Sequence, residues 1–391
     1  MNLRNLAVAT ALRLLRVTLT VLSRVVPQSR SVVVSAYPET EGNALEVARA
    51  LMQRYAGRVV WLREPGPAPT EVHELVEQGM VPVPKASLRG LAAYLRADVV
   101  FFTHGLYGSP QPTARKPIVN LWHGDGPKDV RPENGVGGQI SSTWFVGSTA
   151  LFSGYQAAAF GVPEDHVLLT GNPRTDQLWR PVDAERLARL GITGDFVLWM
   201  PTFRRARAVG AMREQSELGE GADDGHEQVQ ALLVGLRTRG LQLVIKPHPM
   251  DAEDRFWEGA VTITDADLVQ AGASVYGVLG AARGLVTDYS SVWVDYLLLD
   301  RPMAFLVPDR DSYTRQLLPA DVLDWAPGEL VGSREPFAQF LGDLDSHGSE
   351  GAGKRAQVAA KIGLTPSRTA AEDLLTALEE RQVLELRRLA V

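Results

Sequence analysis

Asp288, Tyr289, Ser290 and Ser291 stand where an apolar run, Leu285 to Thr287, gives way to a second one beginning at Val292. Two small hydroxyls at a strand-to-helix junction are placed to hold an anion. The first turn of a helix has unpaired backbone N–H groups and the positive end of the dipole, and serines add donors without bulk. A plain cap explains the same residues, because Asp288 and Ser290 are both good N-caps. Four other clusters carry groups of comparable chemistry: Trp122, His123, Gly124 with Lys128; Gly171 to Asp176, containing Arg174; Met200 to Arg204, containing Thr202; and Ile245 to Pro249, containing Lys246 and His248. A histidine titrates near neutrality and can take a hydroxyl proton, so His123, leaving a strand into a glycine-rich turn, is a candidate base; a structural histidine is the alternative. Arg174 and Arg204 follow turn-forming prolines and offer planar forks that suit phosphate. The histidines are scattered, and no spacing suited to a metal occurs at a loop, so neither metal nor cofactor is expected.

In this order and spacing the five clusters resemble the CDP-glycerol glycerophosphotransferase family, which builds teichoic acids of bacterial cell walls. The resemblance runs from about Ser31 to Arg368, and Pro302, Asp309, Tyr313 and the pair Pro327 and Gly328 extend it past the serine helix. It implies a GT-B fold and transfer of glycerol phosphate from CDP-glycerol to a hydroxyl of a polyprenyl-diphosphate-linked glycan, with CMP released and no metal required. It implies His123 and His248 as catalytic groups. Thr202, Arg204, Lys246, His248, Thr287, Asp288, Ser290 and Ser291 would hold CDP-glycerol, and Gly124, Asp125, Lys128 and Arg174 the acceptor. Asp125 stands where members of the family more often have an uncharged polar residue. CDP-ribitol as donor, a GT-B nucleotide-sugar glycosyltransferase or epimerase, and a catalytically silent membrane-bound glycan-binding partner are the alternatives.

The elements that must position these groups alternate along the chain. Strands are expected at 31–36, 58–62, 98–103, 116–122, 144–147 and 167–170, and helices at 42–55 and 88–95. After a helix at 184–190 the second half repeats the pattern: strands at 196–200, 241–246, 261–264 and 284–287, helices at 226–238 and near Tyr276, and a loop at 204–225 that could serve as a lid. Such alternation predicts parallel sheets, hence an α/β fold of two Rossmann-type domains facing one another with the clusters on their strand ends. The chain's 391 residues exceed what one core usually serves. The expected divisions are 1–30, a membrane-associating amphipathic helix; 31–190, acceptor-binding; 191–365, CDP-polyol-binding; and 366–391, a C-terminal helix.

A net charge of −6 gives no global pull toward nucleic acid, and the absence of cysteine excludes disulfides and thiolate chemistry. Residues 3–26 are apolar apart from Arg4, Asn5, Arg13, Arg16, Arg24 and a few hydroxyls, and the first carboxylate is Glu39. Arginines near the middle make a membrane-spanning helix costly. The expectation is an interfacial helix on an anionic surface at the cytoplasmic face of the membrane, arginines toward the headgroups; a helix of the first domain is the alternative. Homo-oligomerisation is left open.

Overall fold

The computed structural model describes residues 3–131, 140–202, 225–248, 257–313, 315–332 and 336–387. Arg204, Pro249 and nearly all of the expected 204–225 loop lie outside the described residues.

Runs of β-branched and aromatic residues form the sheets, and their alternation shows how each is covered. Val32 and Val34, Val59 and Trp61, and Val99 and Phe101 face one apolar layer. Their neighbours Val33, Val60, Leu62, Val100 and Phe102 face the other. Side chains alternate across a strand, so a sheet buried on both faces needs such continuous apolar runs. Among the described residues seven strands make the first sheet: β1 Ser31–Ser35, β2 Arg58–Arg63, β3 Val81–Pro84, β4 Val99–Phe102, β5 Ile118–Asn120, β6 Trp144–Gly147 and β7 Val167–Leu169. Every pairing is parallel, in the order β3-β2-β1-β4-β5-β6-β7. Six more make the second: β8 Phe196–Trp199, β9 Gln242–Ile245, β10 Val261–Thr262, β11 Gly284–Thr287, β12 Met303–Leu306 and β13 Glu329–Val331. They too are parallel, ordered β10-β9-β8-β11-β12-β13. The expected α/β class with two parallel sheets is the observed one.

The division of the chain departs from expectation. Unit 1 comprises Met1–Asp125, Val130–Asp176 and Thr365–Val391, and unit 2 comprises Gly126–Asp129 and Gln177–Leu364. The boundary thus falls after Asp176 rather than near Gly191. Residues from 177 onward are tied to unit 2: Val182 N–H donates to the Gly277 carbonyl at 3.2 Å. Gly280 lies so near the Leu178 carbonyl that a Cβ there would be 2.3 Å from its oxygen.

The C-terminal helix is also not an appendage. It spans Ala370–Glu380, shorter than the leucine spacing predicts. Ala371, Leu374, Leu375 and Leu378 are buried in the same layer as β1, and Leu384 and Leu386 follow them. Asp176 accepts from the backbone N–H of Ala370 at 2.6 Å and of Ala371 at 3.1 Å, so its carboxylate caps that helix from within unit 1.

The N-terminal helix, Leu3–Val25, belongs to unit 1 as well. Leu19 is buried and Leu15 partly so, against Tyr94, Leu91 and Leu95. Part of its polar side binds the protein instead of facing outward: Arg16 donates to Ser141 Oγ at 3.2 Å, and Thr20 Oγ1 accepts from Gln111 N–H at 3.0 Å. Leu14, Val17, Val21 and Val25 remain 65, 61, 52 and 66% exposed. Spaced at i, i+3, i+7 and i+11, they form one apolar stripe on the side away from Leu19. Among the described residues no helix is long and apolar enough to cross a membrane.

Leu374 is fully buried, and truncating such a side chain loses both transfer energy and packing. Leu374→Ala is expected to lower the unfolding free energy by about 2 to 5 kcal/mol, read from chemical denaturation.

Candidate active site

In open parallel sheets ligands meet the loops beyond the carboxyl ends of the strands. The described members of the sequence clusters fall there. In unit 1, His123 lies three residues past the end of β5. Trp122 before it takes a left-handed backbone, φ +47°, and Gly124 after it has φ +112°. Such a turn is costly for a bulky residue and must be held by its surroundings. Asn120 Oδ1 accepts from Trp122 N–H at 2.9 Å. The fully buried Asn43 donates its amide to the carbonyls of Leu121 and Trp122, both at 3.2 Å, and accepts from Arg174 N–H at 3.0 Å. Arg174 in turn donates through Nη1 to the His123 carbonyl. Its guanidinium lies flush against Gly124, where an added Cβ would stand 1.9 Å from Nη2. Arg174 is only 8% exposed, so it braces the histidine loop.

Asp125 is equally enclosed. One carboxylate oxygen accepts from Ser148 N–H (2.9 Å), Thr149 N–H (2.7 Å), Thr149 Oγ1 (2.9 Å) and Ser153 Oγ (2.6 Å). Burial pushes its pKa up, and the Ser153, Ser148 and Thr149 donors oppose that shift. With 1% exposure it pins together the loops after β5 and β6.

His123 is half-buried and its ring lies in an aromatic group. It tilts against Trp122 with centroids 3.9 Å apart and stacks on His104 at 4.4 Å and 11°. The surrounding protein, with the Lys85 charge, lowers the pKa of His104 although its surface is partly exposed to solvent.

Gly126–Asp129, the continuation of this loop, belongs to unit 2. Lys128 pairs with Leu317 through the backbone, Asp129 N–H donates to the Gln316 carbonyl at 3.0 Å, and a Cβ on Gly126 would be 2.4 Å from that of Ser291.

Within unit 2 the clusters sit on three adjacent strands, β9, β8 and β11. Asp288, buried, accepts from Thr202 N–H at 2.9 Å, Thr202 Oγ1 at 2.9 Å and Ser290 N–H at 3.2 Å. Thr287 Oγ1 donates to the Met200 carbonyl at 2.9 Å and is fully buried. Lys246 is 5% exposed; its Nζ meets Asp265 at 3.0 Å and the Pro247 carbonyl at 3.0 Å. Thr202, Thr287 and Asp288 thus tie together the loops that follow β8 and β11, and Lys246 is held at the end of β9. Ser290, Ser291 and His248 remain partly open. Ser291 opens the short helix Val292–Tyr296, whose turn continues as Leu297–Leu299 and stops at Asp300, φ +48°, close to the expected end.

Sequence reasoning missed Asn43, Asn120, Tyr37 and His104. The asparagines occupy ordinary helix and strand positions with no local signature, whereas His104 could have been found as the residue directly after a predicted strand, 98–103.

The sequence model of the family CDP-Glycerol:Poly(glycerophosphate) glycerophosphotransferase matches residues 18–379. The chain is 27% identical over 212 residues to the teichoic acid glycerol-phosphate transferase of Staphylococcus aureus, covering 52% of this chain and 50% of that one. It is 25% identical over 249 residues to the teichoic acid poly(ribitol-phosphate) polymerase of Bacillus spizizenii, covering 57% and 37%. The chain thus spans half or less of those relatives' lengths. In fold it is similar to the wall teichoic acid polymerase TagF, with a TM-score of 0.68 at 16% identity over 96% of this chain and 98% of that one. A variant of that polymerase has been solved after soaking with CDPG. These likenesses establish a GT-B-like pair of α/β domains.

Removing the Asn43 amide would leave two carbonyls and one N–H buried without that partner, at about 1 to 3 kcal/mol per unsatisfied group. Asn43→Leu, of similar volume, is expected to unfold at lower denaturant and to shift the His123 ring resonances in a proton–nitrogen spectrum.

Proposed function

Because this chain belongs to the CDP-Glycerol:Poly(glycerophosphate) glycerophosphotransferase family, we propose that it transfers a polyol phosphate from a CDP-polyol, CDP-glycerol first among them, to a hydroxyl of a polyprenyl-diphosphate-linked glycan. The observation that carries this reading is His123: a half-buried imidazole at a strand's carboxyl end, on a backbone turn braced by Asn43, Asn120 and Arg174. In the step, His123 takes the proton of the acceptor hydroxyl while its oxygen attacks the polyol-bearing phosphorus. A new P–O bond forms, the bond to the bridging oxygen breaks, and CMP leaves with the electron pair. His248, Ser290 and Ser291, the partly open groups of unit 2, would donate to the diphosphate as charge develops. Arg204 is proposed to join them. No metal is invoked, because donors and cations can carry the charge.

CDP-ribitol is the second donor to be tested, since one of the similar relatives is a poly(ribitol-phosphate) polymerase. The N-terminal helix supports a peripheral position on the cytoplasmic face of the membrane. Its exposed stripe of Leu14, Val17, Val21 and Val25 lies beside Arg13 and Arg24, an apolar band edged with cations that suits an anionic leaflet.

Incubated with CDP-glycerol and a detergent-solubilised lipid-linked disaccharide, the protein is expected to release CMP and add one polyol phosphate mass to the lipid. His123→Ala is expected to slow release by about 10² to 10⁴, the usual contribution of a general base; a loss below tenfold would remove His123 from that role. Val17→Glu combined with Val21→Glu is expected to abolish co-flotation with phosphatidylglycerol vesicles while leaving the thermal midpoint unchanged, since both side chains are exposed.

A further inference from the structure

The strand order of unit 1 changes direction between β1 and β4, the place in an open parallel sheet where neighbouring loops lead to opposite sides and ligands bind. Two aromatic residues follow those two strands. Tyr37 lies two residues beyond the end of β1, and His104 two beyond β4. Their rings meet edge to face, with centroids 5.9 Å apart and planes at 74°. Tyr37 N–H donates to Thr103 Oγ1 at 3.2 Å, and the same oxygen lies 3.1 Å from His104 Nδ1, so one threonine fixes both. On its other side His104 is stacked on His123. Tyr37, His104 and His123 thus form a continuous row.

What the row does is limited by its geometry. Hydrogen bonds to an imidazole nitrogen lie in the ring plane, and two rings stacked at 11° place their nitrogens over one another's faces. No proton passes directly between the two histidines, and His104 does not orient His123 as a hydrogen-bonded partner would. It has other capacity to offer. Tyr37 is 47% exposed and His104 is exposed too. Among the described residues neither Tyr37 Oη nor His104 Nε2 has a hydrogen-bond partner. Nearby charge is already paired, Lys85 with Glu64 at 2.6 Å. The result is a corner of two aromatic surfaces at a steep angle, each with an uncommitted polar tip, next to the proposed base. An apolar ring body with a polar tip suits a ligand that itself alternates C–H faces with hydroxyls.

We propose that Tyr37 and His104 form a subsite for a sugar ring of the acceptor, seating its C–H face on the rings and its hydroxyls on Oη and Nε2, beside His123. The proposal deepens the transferase reading and rests on it for the identity of the reacting hydroxyl. A nucleobase of the donor would also stack on such rings, and the test separates the two.

Saturation-transfer NMR on the full chain, with methyl N-acetyl-β-glucosaminide and separately with CMP as probes, reads binding without turnover. The glycoside signal is expected in the wild type, to weaken by about tenfold in Tyr37→Ala and in His104→Ala, as loss of an aromatic contact implies, and to persist in part in Tyr37→Phe. CMP binding is expected to stay the same in all of them. In steady state the same alanine variants raise KM for the lipid-linked acceptor about tenfold and leave KM for the donor unaltered. Absence of glycoside binding in the wild type, equal binding in the alanine variants, or loss of CMP binding in its place overturns the subsite. Should the glycoside signal depend on Tyr37 and His104 while neither CDP-glycerol nor CDP-ribitol yields CMP, the transferase reading fails and the sugar subsite stands.

Discussion

One buried carboxamide holds the first half of this molecule in working order. Asn43, at the start of a helix, spends both of its amide hydrogens on the carbonyls of Leu121 and Trp122 and its oxygen on the N–H of Arg174, 131 residues away. A buried polar group must be satisfied or it costs stability, and a network satisfied at every member specifies one arrangement. Here that arrangement is the left-handed turn at Trp122, which would not persist without something to over-determine it. The position of His123 follows from it. Arg174, itself placed by the same amide, reaches back to the His123 carbonyl and closes the circuit.

The second half solves a like problem with a carboxylate. Asp288 collects Thr202 and Ser290 and thereby joins the loops after β8 and β11, the two strands between which that sheet changes direction. In both halves charged members of the clusters are buried: Asp125, Asp288, Lys246, Arg174. They are the frame. Among the described cluster residues, His123, His248, Ser290, Ser291 and Lys128 are the partly open polar groups.

That division explains how far the sequence could be read. The parallel sheets were legible because β-branched runs such as Val32 to Val34 repeat between helical spacings, and a buried parallel strand has little other way to be written. The short edge strand Val81–Pro84 was not, since two prolines in four residues argue against a strand unless it is at an edge with solvent on one side. The clusters themselves were legible as clusters. Which member holds and which one reaches was not: Asp125 and Ser290 are both short polar residues at a loop, and only the count of donors converging on each separates them. Domain limits failed for a related reason. Leucine spacing predicted a C-terminal helix, but nothing local says that its partner layer was laid down more than three hundred residues earlier.

The cap that Asp176 places on the helix at Ala370 spans 194 residues of chain, most of which builds the other unit. A ribosome adds roughly 5 to 20 residues each second, so about ten to forty seconds of synthesis separate the two partners. Throughout that interval the layer of Ala44, Leu45, Val47 and Leu51 lacks Leu374, Leu375 and Leu378, and an apolar face of the nascent first unit stands open. The later-made unit 2, nearly contiguous in sequence, can close its own core first. The order in which the two units are made and the order in which their cores can be completed therefore differ in this chain, and the nascent first unit is the stretch a holding chaperone would have reason to shelter.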